Sequence, residues 1–195
     1  MEYVKDYFDK LKQGLDKIDT SKIDTISKII YQAWRNNNQV FIVGNGGSAA
    51  TASHMACDLG KGTLKNVYDE DLKRLKVMSL TDNVALMTAI GNDLGYDHIF
   101  SQPLKQLVKP GDVILLITAS GNSPSILKAI EAANAKGAIT IGLLGFDGGK
   151  AKTMLDHHII YEENHYGRVE DFHLIFNHIL TERLSELMHK NEFVK

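Results

Sequence analysis

Two stretches near the N-terminus carry apolar residues at helical spacing. In each stretch these residues recur every three or four positions, and the polar break Asp19-Thr20-Ser21 separates the two. The spacing predicts two amphipathic helices ahead of the first strand. The apolar positions are Val4, Phe8, Leu11, Leu15 and Ile18 in the first helix and Ile23, Ile26, Ile30 and Ala33 in the second.

After residue 38, short apolar runs alternate with helical patterns. The runs read QVFIV, KVMSL, DVILLIT, AITIGLL and HHIIY, and helices are predicted between them near 48–59, 82–90, 124–136 and 169–189. Strands that are apolar throughout are covered on both faces, so the pattern predicts an α/β fold with a parallel sheet and helices on both sides. Ligands of such sheets bind at the carboxyl ends of the strands.

The two leading helices lie outside this alternation. Their apolar faces need a partner surface, either the rest of the chain or a second copy of it, and we expect an oligomer. A length of 195 residues suits a single α/β domain. Within it we distinguish an N-terminal helical segment for oligomerisation, residues 1–37, from an α/β core, residues 38–195.

Composition narrows the class of partner. A formal net charge of -2 with interspersed charges gives no basic stripe, which argues against nucleic acid as the main ligand. No apolar run predicts membrane insertion or secretion. The single cysteine, Cys57, excludes a disulfide framework and is expected to be a packing thiol. We therefore expect a cytoplasmic protein with small-molecule or protein partners.

The turn after the first strand carries candidate binding chemistry. Gly44, Gly46 and Gly47 let the backbone approach a ligand closely, and Ser48 is placed to cap the helix that follows. Free amides at a helix start attract an anion, so this turn is a candidate phosphate cradle.

A second turn of the same kind follows the run DVILLIT. Thr118 leads into the polar segment 120–123, with Pro124 as the first helical residue and Gly137 as the stop. One such turn is expected wherever a parallel strand enters a helix. Two of them favour a phosphate site.

A dinucleotide site is the alternative for the first turn. Gly44, Gly46 and Ala49 fit the pattern G-x-G-x-x-A after a strand. However, the next strand ends at Leu80-Thr81-Asp82, further along than the acidic residue that binds ribose about 20 positions on. No Walker motif is present around Gly60-Lys61 either, so the match is weak.

Four motifs span the chain in order: GNGGSA with the following His54, TAIGNDLGYD, SGNS and YGRVEDFHLIFNHIL. Together they resemble the sugar isomerase (SIS) domain family, and within it the phosphoheptose isomerase family. The resemblance implies a three-layer, flavodoxin-like sandwich with a five-stranded parallel sheet. It also implies a homotetramer that uses the N-terminal helices, with active sites built between subunits.

The resemblance further implies an aldose–ketose isomerase. The implied reaction converts sedoheptulose 7-phosphate into D-glycero-D-manno-heptose 7-phosphate through an enediol, for heptose units of bacterial surface polysaccharides. The implied substrate-binding residues are Asn45, Gly46, Gly47, Ser48, Asn92, Asp93, Thr118, Ala119, Ser120 and Ser123. The implied ligands of one zinc ion per subunit are His54, Asp58, Glu170 and His178.

Three positions depart from the residues that are common in the family. Asp58 stands where Glu is common, Glu170 stands where Gln is common, and Ala119 replaces a hydroxyl residue in the phosphate turn. Asp58 keeps the charge but withdraws the carboxylate by about one C–C bond, and Glu170 adds a negative charge where the family has a neutral amide. More negative charge near a metal should strengthen its binding.

Spacing tests the ligand set independently of the resemblance. His54 and Asp58 are four residues apart, so on a helix both side chains lie on one face and could grip one zinc ion. Glu170 and His178 are separated by about 12 Å of helix. They could serve one metal only if Glu170 lies at a frayed helix start, unless the pair serves sites in different subunits.

Isomerisation of a ketose phosphate moves a proton between C1 and C2, which needs a base and an acid. We assign Asp58 as the base and His178 as its acid partner, with Glu170 able to exchange roles with Asp58, and with zinc polarising the carbonyl. Two alternatives stay open. One is an isomerase of another ketose phosphate, and the other is a non-catalytic SIS tetramer that binds a protein, as a relative binds the replication initiator. The ionisable residues favour catalysis.

Overall fold

The sheet has five parallel strands in the order β2-β1-β3-β4-β5. The structure is a computed structural model that describes residues 2–189. Each strand coincides with one of the five apolar runs, so the strand prediction is confirmed. The strands are β1 (Gln39–Gly44), β2 (Lys76–Ser79), β3 (Val113–Thr118), β4 (Ile139–Gly145) and β5 (His157–Tyr161).

Helices surround the sheet. They are α1 (Glu2–Leu15), α2 (Thr20–Arg35), α3 (Gly47–Cys57), α4 (Val84–Leu94), α5 (Ser101–Leu107), α6 (Pro124–Ala135) and α7 (Tyr166–His189). Every predicted helix is present. The sequence did not predict α5, because it has only 7 residues and carries Pro103 in its first turn. None of these helices combines the length and the hydrophobicity needed to cross a bilayer.

Side chains that alternate along the strands divide the interior into two cores. On β3, Val113, Leu115 and Ile117 face a core shared with α2, α3 and α7, while Ile114 and Leu116 face a second core shared with α5 and α6. All of β3 is therefore buried. Helices on both faces of a sheet with this strand order form the predicted three-layer, flavodoxin-like sandwich.

The edge strand β2 departs from the prediction that each strand is covered on both faces. Met78 is 47% exposed, and α4, which follows β2, buries none of its residues. The prediction holds for the central strands because they have a neighbour on each side and helices above and below. On α4 the exposed apolar residues are Val84, Leu86 and Leu94.

The two leading helices are held in different ways. The apolar face of α2 lies in the core, whereas no residue of α1 is buried. The hydroxyl of Tyr7 fastens α1 to α7 by donating to Asp171 Oδ2 at 2.6 Å. This hydrogen bond raises the pKa of Tyr7 to about 12. On α1, Tyr3, Val4 and Phe8 remain exposed.

The long helix α7 carries polar residues into the interior. Arg168, His173 and Asn177 are all buried. The Arg168 guanidinium lies 3.1 Å from Glu163, and its hydrogen bond lowers the pKa of that carboxyl. Burial lowers the pKa of His173 to about 4, so its imidazole is neutral in the folded protein near pH 7.

We expect His173 to make the fold sensitive to acid. An unfolded chain protonates a histidine near pH 6.5, whereas the folded chain protonates His173 only near pH 4. Its stabilising contribution is complete above the unfolded pKa and is lost as the pH falls toward the folded one, by up to about 3 kcal/mol.

Urea unfolding from about pH 7.5 to about pH 4.5 measures this effect, with His173→Leu as the comparison. The free energy of unfolding should fall less with acid in the variant than in the parent protein. Equal pH dependence in the two proteins would contradict the expectation.

Candidate active site

The strand order reverses between β1 and β3. From β1 the chain crosses to β2 on one side, and from β3 it crosses to β4 on the other, which leaves a crevice at the carboxyl ends of β1 and β3. Both candidate turns border this crevice. The side-chain amide of Asn45 donates to Ser125 Oγ at 2.9 Å, so the structure links the first turn to the start of α6, directly after the second turn.

The β1–α3 turn leaves the start of its helix without a side-chain cap. Gly46 occupies the cap position with φ of 56°, a backbone conformation that favours glycine, and no side chain bonds to the free amides. The prediction that Ser48 caps α3 is therefore wrong, because Ser48 is already inside the helix and is buried. The amides that precede the first helical hydrogen bonds stay available to an anion.

The β3–α6 turn is braced by its own side chains and by the loop after β4. The amides of Gly121 and Asn122 donate to Thr118 Oγ1 and Ser120 Oγ, both at 3.3 Å. The amide of Lys150 donates to Asn122 Oδ1 at 3.1 Å. Pro124 begins α6 as predicted.

Residues of this turn differ in their access to the crevice. Thr118 and Ala119 are buried, and the carbonyl of Ala119 accepts a hydrogen bond from the amide of Gly145 at 3.0 Å. Ser120 and Ser123 are partly exposed. The two serines are therefore the hydroxyls of the turn that a ligand can reach most directly.

Asn92 and Asp93 lie exposed on the last turn of α4 and bond to each other at 2.8 Å. The neighbouring Tyr96, which follows α4 and which sequence reasoning did not single out, is the residue that contacts the first turn. The hydroxyl of Tyr96 donates to Asn45 Oδ1 at 2.9 Å. Tyr96 lies within the motif TAIGNDLGYD, and that membership was the available signal for it.

A cluster of two imidazoles and a carboxylate lies between α3 and α7. His54 Nε2 is 3.0 Å from Asp58 Oδ2, and His178 Nε2 is 3.8 Å from the same oxygen. One ligand atom from each of the three residues lies within 4.8 Å of the others. Imidazole nitrogen and carboxylate oxygen are both zinc donors, so the donor set fits zinc. We call these three residues the acid–imidazole cluster.

The helix geometry changes at Asp58. α3 ends at Cys57, and residues Asp58–Gly62 form a single π-helical turn. Such turns occur often at functional sites because they redirect a side chain. His54 and Asp58 still meet on one face, as their spacing predicted.

Asn177 supports the cluster from the interior. This fully buried residue donates from Nδ2 to Asp58 Oδ2 at 2.7 Å. Sequence reasoning missed it, since it precedes His178 in the chain and carries no ionisable group. No pattern in the sequence pairs positions 58 and 177.

Glu170 is not a member of the acid–imidazole cluster. It lies in the second turn of a regular helix that begins at Tyr166, so the alternative of a frayed start is wrong. Its carboxylate instead faces the start of α3, where a Cβ added to Gly47 would lie 2.9 Å from Glu170 Oε1. Within one chain, Glu170 and His178 therefore occupy different levels of the α3–α7 contact.

An open cleft of about 580 Å³ lies elsewhere on the surface. None of the predicted site residues lines it, and its three carboxylates suit a phosphate poorly. Its lining residues are Phe146, Asp147, Lys152, Glu162, Glu163 and Asn164. The chemistry therefore favours the crevice between β1 and β3.

Comparison with known sequences identifies the family. The sequence profile of the SIS domain matches residues 3–145. The phosphoheptose isomerase of Aliarcobacter butzleri is 35% identical over 168 residues, which cover 86% of this chain and 86% of that protein. The phosphoheptose isomerase of Rhodospirillum rubrum is 39% identical over 152 residues, 78% of each chain.

Solved structures agree in fold over nearly the whole chain. The phosphoheptose isomerase of Neisseria gonorrhoeae superposes with a TM-score of 0.85 at 31% identity, covering 95% of this chain and 98% of that one. The enzyme of Francisella tularensis gives a TM-score of 0.86 at 26% identity, covering 95% and 97%. The chain therefore belongs to the SIS domain family and, within it, to the phosphoheptose isomerases.

Proposed function

We propose that the protein is an aldose–ketose isomerase that converts sedoheptulose 7-phosphate into D-glycero-D-manno-heptose 7-phosphate. The observation that carries the proposal is the acid–imidazole cluster between α3 and α7, since α3 is the helix that leaves one of the two turns at the crevice. A carboxylate beside imidazoles supplies the acid and base that an enediol mechanism requires. The product would serve the synthesis of heptose units of a bacterial surface polysaccharide.

Substrate binding is divided between the phosphate and the sugar. Ser120 and Ser123 hydrogen-bond the phosphate, with Thr118 and Ala119 forming the wall behind them. The sugar hydroxyls contact the first turn and the end of α4. The residues of that second group are Asn45, Gly46, Gly47, Ser48, Asn92 and Asp93.

The reaction moves one proton between C1 and C2. Asp58 takes a proton from C1 while His178 donates one to the carbonyl oxygen on C2, which gives the enediol. His178 then takes the proton of the C1 hydroxyl as Asp58 returns its proton to C2, which gives the aldose. Glu170 is the second carboxylate that could act as the base. Both residues lie on the α3–α7 contact, at different levels.

The acid–imidazole cluster is also the proposed zinc site, with one ion per subunit. His54, Asp58 and His178 supply three donors, and Glu170 is the proposed fourth, contributed across a subunit boundary because of its distance along α7. When bound, zinc supplies Lewis-acid polarisation of the substrate carbonyl.

We further propose a homotetramer that acts in the cytoplasm on a sugar phosphate, without nucleic acid or membrane partners. The exposed residues Tyr3, Val4 and Phe8 on α1 support assembly, since apolar surface of this kind is commonly covered by another chain. A site completed by a neighbouring subunit would also account for the position of Glu170.

Incubation of the pure protein with a panel of ketose phosphates, followed by NMR, tests the function. We expect aldose to form from sedoheptulose 7-phosphate and much less from a hexulose phosphate. Turnover of the hexulose phosphate alone would favour the isomerase of another ketose phosphate. A protein that converts none of them and still captures a protein partner would favour the adaptor alternative.

Asp58→Asn should lower kcat about a hundredfold or more, because it keeps the shape of the side chain but removes its basicity. Substrate should still bind through the serines, so KM should change little. Steady-state kinetics measure both. Near-normal turnover in Asp58→Asn together with abolished turnover in Glu170→Gln would assign the base to Glu170 instead.

Replacing Ser120 and Ser123 together with Ala should mainly raise KM. Each hydrogen bond to a charged phosphate contributes about 1.5 to 3 kcal/mol, so kcat/KM should fall at least about tenfold. A substrate analogue that lacks the phosphate is the control, and its kcat/KM should not change. Unaltered kinetics with the phosphorylated substrate would move the phosphate to the β1–α3 turn.

Val4→Glu with Phe8→Glu should shift a tetramer toward smaller species, because it places charge on the proposed contact surface of α1. Multi-angle light scattering measures the mass. Lys12→Glu, which changes the net charge by the same amount at another exposed position of α1, should leave the tetramer intact. A parent protein that is monomeric and fully active would overturn the shared-site proposal.

A further inference from the structure

A buried amide lies directly beneath the acid–imidazole cluster. Asn177 has no exposed surface, whereas the side chains of Asp58, His54 and His178 are 26%, 44% and 54% exposed. Among the described residues that contact Asp58 Oδ2, Asn177 is thus the one that is completely buried. Its position is fixed by packing before any ligand arrives.

Three nitrogens surround Asp58 Oδ2. They are Asn177 Nδ2 at 2.7 Å, His54 Nε2 at 3.0 Å and His178 Nε2 at 3.8 Å. Imidazole nitrogens are zinc donors, so the side chains of His54 and His178 can turn from the carboxylate toward a bound ion. The side-chain nitrogen of Asn177 can only donate, so its contact with the carboxylate persists when the imidazoles engage an ion.

Packing alone does not account for an asparagine at this position. Asn177 Oδ1 is buried and has no hydrogen-bond partner within residues 2–189. Rotating the amide would place Oδ1 against Asp58 Oδ2, so chemistry fixes the orientation that leaves Oδ1 unsatisfied. A leucine, which has the same branched shape and the same number of heavy atoms, would avoid the unsatisfied oxygen. The hydrogen bond to Asp58 is what the asparagine provides.

We propose that Asn177 is a positioning residue that aims the Asp58 carboxylate into the zinc site and fills the space that a longer acid would need. This inference rests on the proposed function only in taking Asp58 as a zinc ligand. A glutamate at position 58 would carry its carboxylate about 1.5 Å further, toward the atoms that contact Asp58 Oδ2 at 2.7 and 3.0 Å. Asn177 and Asp58 therefore form a matched pair.

The proposed pairing is tested by the zinc affinity of the protein. Metal-free protein is titrated with zinc in competition with a chromophoric chelator. Partners that orient metal ligands typically contribute 10- to 100-fold in affinity, so Asn177→Ala and Asn177→Leu should each weaken binding by about that factor. Asp58→Glu should also weaken it, by crowding. The double variant Asn177→Ala with Asp58→Glu should bind zinc more tightly than either single variant, because the longer acid then has room.

Asn177→Leu with Asp58→Glu is the matched control, since leucine removes the donor but keeps the space filled. It should show no such recovery. The absorption spectrum of bound Co²⁺ should change in the Asn177 variants, which reports an altered ligand arrangement independently of affinity. His173→Leu, another buried polar position one turn earlier on α7, should leave both readouts unchanged.

Circular dichroism and thermal unfolding establish that each variant is folded, and the near-isosteric Asn177→Leu keeps the test available if Asn177→Ala does not fold. Parental zinc affinity in Asn177→Leu would overturn the proposal, as would losses that simply add in the double variant. Absence of zinc binding by the parent protein would also overturn it. A parent protein that binds zinc but isomerises no ketose phosphate would refute the proposed function and leave this inference standing.

Discussion

Parallel pairing of β1 with β3 runs in register from Val40 beside Val113 to Gly44 beside Ile117, and it brings two strand ends to the same edge of the sheet. Because the connections from these strands lead to opposite sides, no crossover helix fills the space between their ends. Glycine-rich backbone and uncapped helix amides therefore meet hydroxyl groups in one crevice. The contact between Asn45 and Ser125 ties the first turn to the helix that follows the second turn. The phosphate and sugar parts of the candidate site depend on this pairing.

The packing of α7 against α3 adds the ionisable groups. Both helices run in the same direction along their contact, since Glu170 faces Gly47 at one end and Asn177 meets Asp58 at the other. The two acids are consequently held apart by the rise of a rigid helix rather than by a flexible loop. This separation is the observation behind the proposal of a shared site, since Glu170 lies away from the acid–imidazole cluster of its own chain.

The buried polar side chains of α7 are each accommodated in a different way. Arg168 is paired with Glu163, so its buried charge is compensated. His173 avoids a buried charge by remaining neutral. Asn177 donates one hydrogen bond to the partly exposed carboxylate of Asp58, and its own side-chain oxygen has no partner among the described residues. A buried polar atom without a partner needs an explanation, and for Asn177 the hydrogen bond to Asp58 supplies one.

The sequence by itself determined the elements and the local geometry. The strands were visible because a strand covered on both faces must be apolar at every position. The shared face of His54 and Asp58 and the separation of Glu170 from His178 follow from the period and the rise of a helix, which local residues fix. Each of these properties depends on neighbours in the chain.

Only the tertiary structure decided which segments meet. Packing leaves residues of β2 and α4 exposed, and it gives Ser48 no capping role. It brings Tyr96 into contact with Asn45, which lies 51 positions away in the chain. It also placed Asn177 beneath Asp58, which lies 119 positions away. A hydrogen bond between such distant residues leaves no period or motif in the sequence, because its geometry depends on how whole helices pack against the sheet.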